Sequence, residues 1–382
     1  MTEQAIGRFR WAREATPYEI FMSEQGVPVV RGVGVYDVRN ITLAPWKRMG
    51  GQGAFVELAG ASGLRGIYVL EIPASGATPP ERHIYEEVFY VVEGRGSTEV
   101  WVDDENDKQV FEWRTGALFT APLNTHHRIV NAASEPALII AVTNAPPLMT
   151  LFRNEDFIFN TPFHFRDRFD RDPDFFRTVE EIATRPDNGR YHYMGNVIPD
   201  TVNSEIPLDG QRGSGHRHYT WNMAGNSSSG HIAEYPSGRY SKCHAHTSGP
   251  VLLCLRGEGY TITWPRLAGT RPWEEGNGHL VQRQDYVPGG LVSAAPGDAN
   301  WFHGHYGVAQ DPLRVLAFLG TGLPRGAHQS APGEEFIGQN EDVSRGGGTI
   351  DYRDEDPYIR KMYEDELAKH GVRFDMPEEL YR

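Results

Sequence analysis

The sequence predicts an all-β fold built as two barrels, and three observations carry that expectation. Short extended runs, GIYVLEIP, EVFYVVEG, STEVWVD, KQVFEW and ALIIAVT, fall between residues 66 and 143 and are separated by Gly, Pro, Asp and Asn clusters. The 42 glycines and 26 prolines favour frequent turns over long helices. A repeat then doubles the pattern: residues 87–101, EVFYVVEGRGSTEVW, slide by 163 positions (from 87 to 250) onto PVLLCLRGEGYTITW. Val88/Val251, Gly94/Gly257, Gly96/Gly259, Thr98/Thr261 and Trp101/Trp264 coincide, as expected of two copies of one unit.

Composition bounds the rest. A chain of 382 residues has room for two domains, and 39% apolar with 11% aromatic residues suffices for a core in each. The net charge is −14, and residues 334–382 supply half of it with 14 acidic against 7 basic groups. Such a surface repels phosphate backbones and anionic lipid, so neither nucleic acid nor membrane is an expected partner. The opening residues show no basic-then-apolar leader, and no apolar run approaches the ~20 residues of a membrane helix. A cytoplasmic address follows as the expectation. Cys243 and Cys254 lack the spacing of a zinc or redox pair.

In order, residues 1–61 read as an N-terminal arm with the first strands, and 62–149 as the first barrel. Residues 150–217 read as a linker with a short helix predicted over FFRTVEEIAT, capped by Asp172 with Pro173 at its first position. Residues 218–325 form the second barrel and 326–382 an acidic tail. The tail carries a helix capped by Asp356, opened by Pro357 and stopped by Gly371. Ile359, Met362, Tyr363 and Leu367 give that helix one apolar face, expected to pack on its own barrel.

The candidate site sits in RYSKCHAHTSGPVLLCLRG, residues 239–257. Alternate side chains of a strand share a face, so His244 and His246 can aim both imidazoles at one point. Downstream, Trp301-Phe302-His303-Gly304-His305 offers a third nitrogen from His303 or His305. Imidazole suits Fe(II), Zn, Cu, Mn and Ni alike.

These residues resemble the cupin superfamily, specifically its two-barrel (bicupin) members. The family's first motif is glycine, five residues, His-x-His, three or four residues, Glu, six residues, Gly. Its second is glycine, five residues, Pro-x-Gly, two residues, His, three residues, Asn. In the second barrel Gly238, His244, His246 and Gly257 follow the first motif, with Pro250 at the glutamate's place. Gly290 and Pro296 open the second motif, and a short insertion brings His303 to the ligand position. In the first barrel Gly116, Pro122, Asn124, His127 and Asn131 keep the second motif, whereas Glu81 stands where the first histidine belongs, ahead of His83 and Glu87. The resemblance thus implies jelly-roll barrels, a metal site of His244, His246 and His303, and a first-barrel site of Glu81, His83, Glu87 and His127.

Among cupins, a three-histidine site without the glutamate resembles ferrous dioxygenases, so the implied function is a non-haem Fe(II) dioxygenase acting on a small aromatic or enolisable oxygenated compound. The alternatives are a redox-neutral Mn(II) or Zn(II) lyase, isomerase or hydrolase, and a binding bicupin without catalysis. A small-molecule substrate is the expected partner, and family habit admits a homo-oligomer. Arg239 and Arg256 read as surface residues before substrate-binding ones. His216-Arg217-His218 lacks the closing Gly-x-Gly and is not expected to hold metal, although His218, Tyr219 or Trp221 can line the pocket.

Overall fold

The computed structural model describes residues 14–179, 181–184, 189–209, 212–245, 250–297, 301–319 and 341–382. Each barrel pairs a large sheet with a small one. In the first, the large sheet runs Gly51–Leu58, Gly66–Ile72, Ala137–Thr143, Glu87–Glu93, Leu118–Thr120. The small sheet is His126–Asn131, Arg95–Trp101, Gln109–Arg114. The second barrel repeats this with Arg217–Trp221, Ser229–Tyr235, Leu313–Leu319, Val251–Arg256, Leu291–Ser293 facing His244–Ala245, Trp301–Gly307, Gly259–Pro265, Gln282–Tyr286. The protein is all-β, two jelly-roll barrels with a partly helical linker and a helical tail.

Alternation decides which side chains reach each interior. On Glu87–Glu93, Phe89 and Val91 enter the first barrel's core, while Val88, Tyr90 and Val92 join the seam between barrels. Shifted by the repeat, Leu252 and Cys254 line the second interior, and Val251, Leu253 and Leu255 face the seam. The barrels therefore pack back to back through their large sheets. Each fully buried Leu or Val there stabilises by roughly 1.5–3 kcal/mol.

The repeated Gly-x-Gly turns have one geometry. Gly94 and Gly257 adopt φ of +104° and +73°, where a side chain is strained. At Gly96 and Gly259 a Cβ would lie 2.0 Å from the carbonyl oxygens of Val130 and Tyr306. Glycine is required at both positions of both copies.

Three further ties join the halves. Gly34–Val35, from the N-terminal arm, pairs with Leu291 and Val292 of the second barrel. Val197–Ile198, from the linker, pairs with Leu118 and Phe119 of the first. Buried Glu86 accepts hydrogen bonds from the Ser227 and Ser228 backbone N–H groups at 2.7 and 2.8 Å, and from the Ser227 hydroxyl at 2.7 Å.

The linker departs from expectation. Among the described residues of FFRTVEEIAT no helix forms: residues 173–176 make a turn and Ile182–Thr184 is a strand paired with Tyr191–Tyr193. A run this short is marginal as a helix without strong packing. Here Phe176 stacks on Phe111 instead, with ring centroids 4.4 Å apart. Among the described residues, the linker's α-helices are Ala145–Phe152, which starts within the segment assigned to the first barrel, and Glu155–Asn160.

The tail follows its sequence signals. Asp356 caps Pro357–Lys369 by accepting from the Tyr358 N–H at 2.9 Å. Ile359, Tyr363 and Leu367 are buried, and Met362 packs beside them, on the outer face of the second barrel against Tyr240, Cys243, Trp264, Phe302 and Tyr306. Among the described residues, no helix is long and apolar enough to cross a membrane.

Candidate metal centres

In the first barrel, Glu81 lies on a segment bridged to His127, each N–H donating to the other's carbonyl at 2.9 Å. Ligand atoms of Glu81, His83 and His127 come within 4.8 Å of one another, and all three residues are buried. Glu87, the first residue of its strand, places Oε2 at 3.2 Å from His83 Nε2 and 3.7 Å from His127 Nε2. Its Oε1 accepts from the Tyr68 hydroxyl at 2.7 Å. All four first-barrel residues expected from sequence therefore meet, and Glu87 pairs with both histidines.

The electrostatics follow from this packing. Burial pushes the Glu87 carboxyl upward, but hydrogen bonds and charge from His127 and His83 outweigh it and hold the group well below the usual carboxylate range. Burial likewise lowers His127, and the Glu87 carboxylate reverses this and raises it. His83 Nδ1 meets the Tyr85 carbonyl at 2.8 Å while its ring stacks on that tyrosine at 3.6 Å. With Nδ1 facing that carbonyl, Nε2 is aimed into the cluster, towards Glu87 Oε2 at 3.2 Å. Two imidazoles and two carboxylates suit a divalent cation.

In the second barrel, ligand atoms of His244, His303 and His305 converge within 4.8 Å, again all buried. His246 lies outside the described residues. The sheet register shows which residues of the two barrels are counterparts. Trp101 faces His126 across the first small sheet, and its counterpart Trp264 faces Phe302 across the second. His303 is therefore the counterpart of His127, after an insertion between the strands. Glu81 is bridged to His127 and His244 is paired with His303, so Glu81 and His244 are counterparts as well. His305 matches the apolar Ile129, yet joins the cluster because two residues along a strand return to the same face.

His244 Nδ1 contacts the Lys242 carbonyl at 3.0 Å, which fixes the ring with Nε2 inward. His305 Nδ1 meets the Tyr286 hydroxyl at 2.9 Å. Burial raises the Tyr286 hydroxyl well above its ordinary value, so it stays protonated.

Other expectations resolve individually. Arg256 pairs with Glu234 at 2.7 Å and Arg239 with Asp375 at 2.7 Å, so neither faces a centre. Cys243 is fully buried beneath the tail, away from the histidines. Tyr219 and Trp221 belong to the seam, not the pocket. His218 turns inward with its Nδ1 3.5 Å from Asp209, which also holds Arg190 at 3.3 Å. Its ring lies 5.6 Å from His216 and 4.8 Å from His231. Burial first, then the charges of Arg190 and Arg212, push His216 well below its ordinary value. Sequence reasoning missed Arg48, whose guanidinium lies 3.3 Å from Glu81, together with Tyr68, Asp209 and Tyr286; Tyr68 had a signal, since it alternates in phase with the inward residues of its strand.

Two antiparallel jelly rolls in tandem, each enclosing a buried cluster of side chains of metal-ligating type, define the class: the protein is a tandem jelly-roll chain whose first barrel carries a cupin domain. The cupin-domain family model matches residues 68–143, the heart of the first barrel. A deletion mutant of Bacillus subtilis oxalate decarboxylase OxdC aligns with a TM-score of 0.46 at 12% identity, covering 76% of this chain and 77% of that one. A structure described for the Mn(II) centres of the same Bacillus subtilis enzyme aligns with a TM-score of 0.46 at 12% identity, covering 76% and 78%. Likeness at this level speaks neither for substrate nor for metal. No curated protein matches the sequence.

Proposed function

We propose that the protein is a metal-dependent enzyme whose catalytic ion is held in the second barrel by His244 and His303, with His246 completing the family's set and His305 standing beside it. The observation that carries this reading is the convergence of His244, His303 and His305 inside one barrel. A divalent ion bound there supplies Lewis acidity and, when ferrous, electrons for O₂. Neutral imidazoles leave the ion's charge uncancelled, which favours a substrate that chelates through two oxygens. Lys242 orients His244 through its carbonyl, and Tyr286 sets the tautomer of His305. With Tyr286 donating, His305 Nε2 carries a proton for delivery to bound substrate; with the roles reversed, Nε2 is a further ligand. Our first reading is an Fe(II) dioxygenase acting on a small aromatic or enolisable oxygenated compound.

The redox-neutral Mn(II) or Zn(II) reading is favoured by a different observation, the carboxylates Glu81 and Glu87 in the first barrel, since oxygen donors suit Mn(II). Elemental analysis of anaerobically purified protein, paired with oxygen uptake, tests both. Iron bound per chain with oxygen consumption supports the first reading. Manganese or zinc with anaerobic turnover replaces it by the second, and protein without stoichiometric metal overturns both.

A further inference from the structure

The first-barrel cluster lies beneath a cover built from the helices Pro17–Glu24 and Glu155–Asn160. A capping box fixes the start of the first helix: the Glu19 N–H donates to the Thr16 hydroxyl at 3.2 Å, and the Thr16 N–H to the Glu19 carboxylate at 2.7 Å. That helix buries Tyr18, Phe21 and Met22. From Phe21 a run of rings leads down to a ligand. Phe21 stacks on Phe159 at 5.8 Å, Phe159 meets Tyr85 edge-on at 6.0 Å, and Tyr85 stacks on His83 at 3.6 Å. The second helix is fastened beside the cluster, because the Ile84 N–H donates to the Ile158 carbonyl at 3.0 Å. The Arg48 guanidinium lies over Phe159 at 4.3 Å and reaches Glu81 at 3.3 Å, bridging cover and cluster. The space left among Tyr18, Phe21, Trp46, Arg48, Glu81 and Tyr85 is about 20 Å³, room for about one water molecule.

A space of that size admits no organic substrate. The donor set agrees: Glu81, His83, Glu87 and His127 are the full complement of a closed structural ion site, whereas a catalytic site keeps a position open. We propose that the first-barrel centre holds a divalent ion structurally, without access for substrate, and that Phe21, Phe159 and Tyr85 form the gate through which the ion enters and leaves. The inference rests on the reading that the first barrel takes a divalent ion. In either reading of the enzyme, turnover then falls to the second barrel. The gate acts on rates. Exchange requires the helix Pro17–Glu24 to lift and the ring stack to part, a local opening. Arg48, a cation held beside the path, opposes the passage of another cation.

Full-length His244→Ala protein, whose second centre is disabled, loaded with Mn(II), provides the test. Two quantities are measured: the rate of Mn(II) release into excess EDTA, and the relaxation of solvent protons by the bound ion. Adding Phe21→Ala should quicken release at least about tenfold with Mn(II) stoichiometry unchanged. Thr16→Ala removes the helix cap and touches neither the donors nor the ring stack. It should quicken release about threefold or more, so the result does not hang on one core substitution. Bound Mn(II) should relax solvent protons weakly behind the intact gate and more strongly in Phe21→Ala, and catechol should leave the intact protein's signal unaltered. Equal release rates in all three proteins, or a response to catechol behind the intact gate, overturn the closed site and leave the metal reading standing. Protein that takes no Mn(II) overturns the metal reading, and the gate with it.

Discussion

The two barrels share one architecture and differ in what converges inside it. In the first, Glu81, His83, Glu87 and His127 meet, and the carboxylates carry two negative charges. In the second, the counterpart of Glu81 is His244, the counterpart of Glu87 is Pro250, and His305 stands where the first barrel has Ile129. The scaffold holds donor positions constant while the donors change from mixed oxygen and nitrogen to nitrogen. A duplicated fold can thereby offer two ion preferences within one chain.

The sharpest way to break this comparison is His244→Ala. Metal affinity of the second barrel should fall by at least ~100-fold, beyond the ~10–100-fold typical of outer-shell partners, while the first barrel keeps its ion; metal content per chain measures both. Unchanged content would sink the assignment. Glu81→His should make the first barrel resemble the second, shifting its preference from Mn(II) towards Zn(II) by about tenfold in competition dialysis. Tyr68→Phe removes the hydroxyl that orients Glu87 and should weaken first-barrel binding by about tenfold, without effect on the second.

The smallest effect concerns the outer cover of the second barrel. Glu355, buried beneath the tail and hydrogen-bonded by the Tyr240 hydroxyl, is pushed up by burial from 4.5 to about 8. Its protonated form is the one the folded state favours. Stability from this group is therefore complete below about pH 4.5 and is lost as pH rises towards 8. Glu355→Gln should flatten that slope, gaining on the order of 1–2 kcal/mol relative to wild type between pH 5 and 8 in thermal melts. Parallel slopes for the two proteins would show that the carboxyl is solvated.

Much of this was legible in the sequence because the donors obey fixed spacing. Glu81, His83 and Glu87 could be counted back from Gly94, and the glycines themselves mark strand ends that tolerate no Cβ. Alternation cannot separate His303 from His305, since both lie on one face; only the pairing of Trp264 with Phe302 distinguishes them. Arg48 and Tyr286 were hidden for another reason. They arrive from strands and turns remote in sequence, and no spacing ties them to the ligands. The misread helix at residues 175–184 shows local signals losing to tertiary ones: the cap at Asp172 was real enough to form a turn, but Phe176 found a partner in Phe111 and the chain went on as a strand.

The reciprocal strands have a consequence for anyone who tries to halve the molecule. Gly34–Val35 belongs by connectivity to the first half and by hydrogen bonding to the second, and Val197–Ile198 reverses the arrangement. A gene cut between the halves would leave each product with a bare sheet edge and an orphaned ribbon, inviting aggregation. The doubled protein is thus braided, each half lending the other a strand.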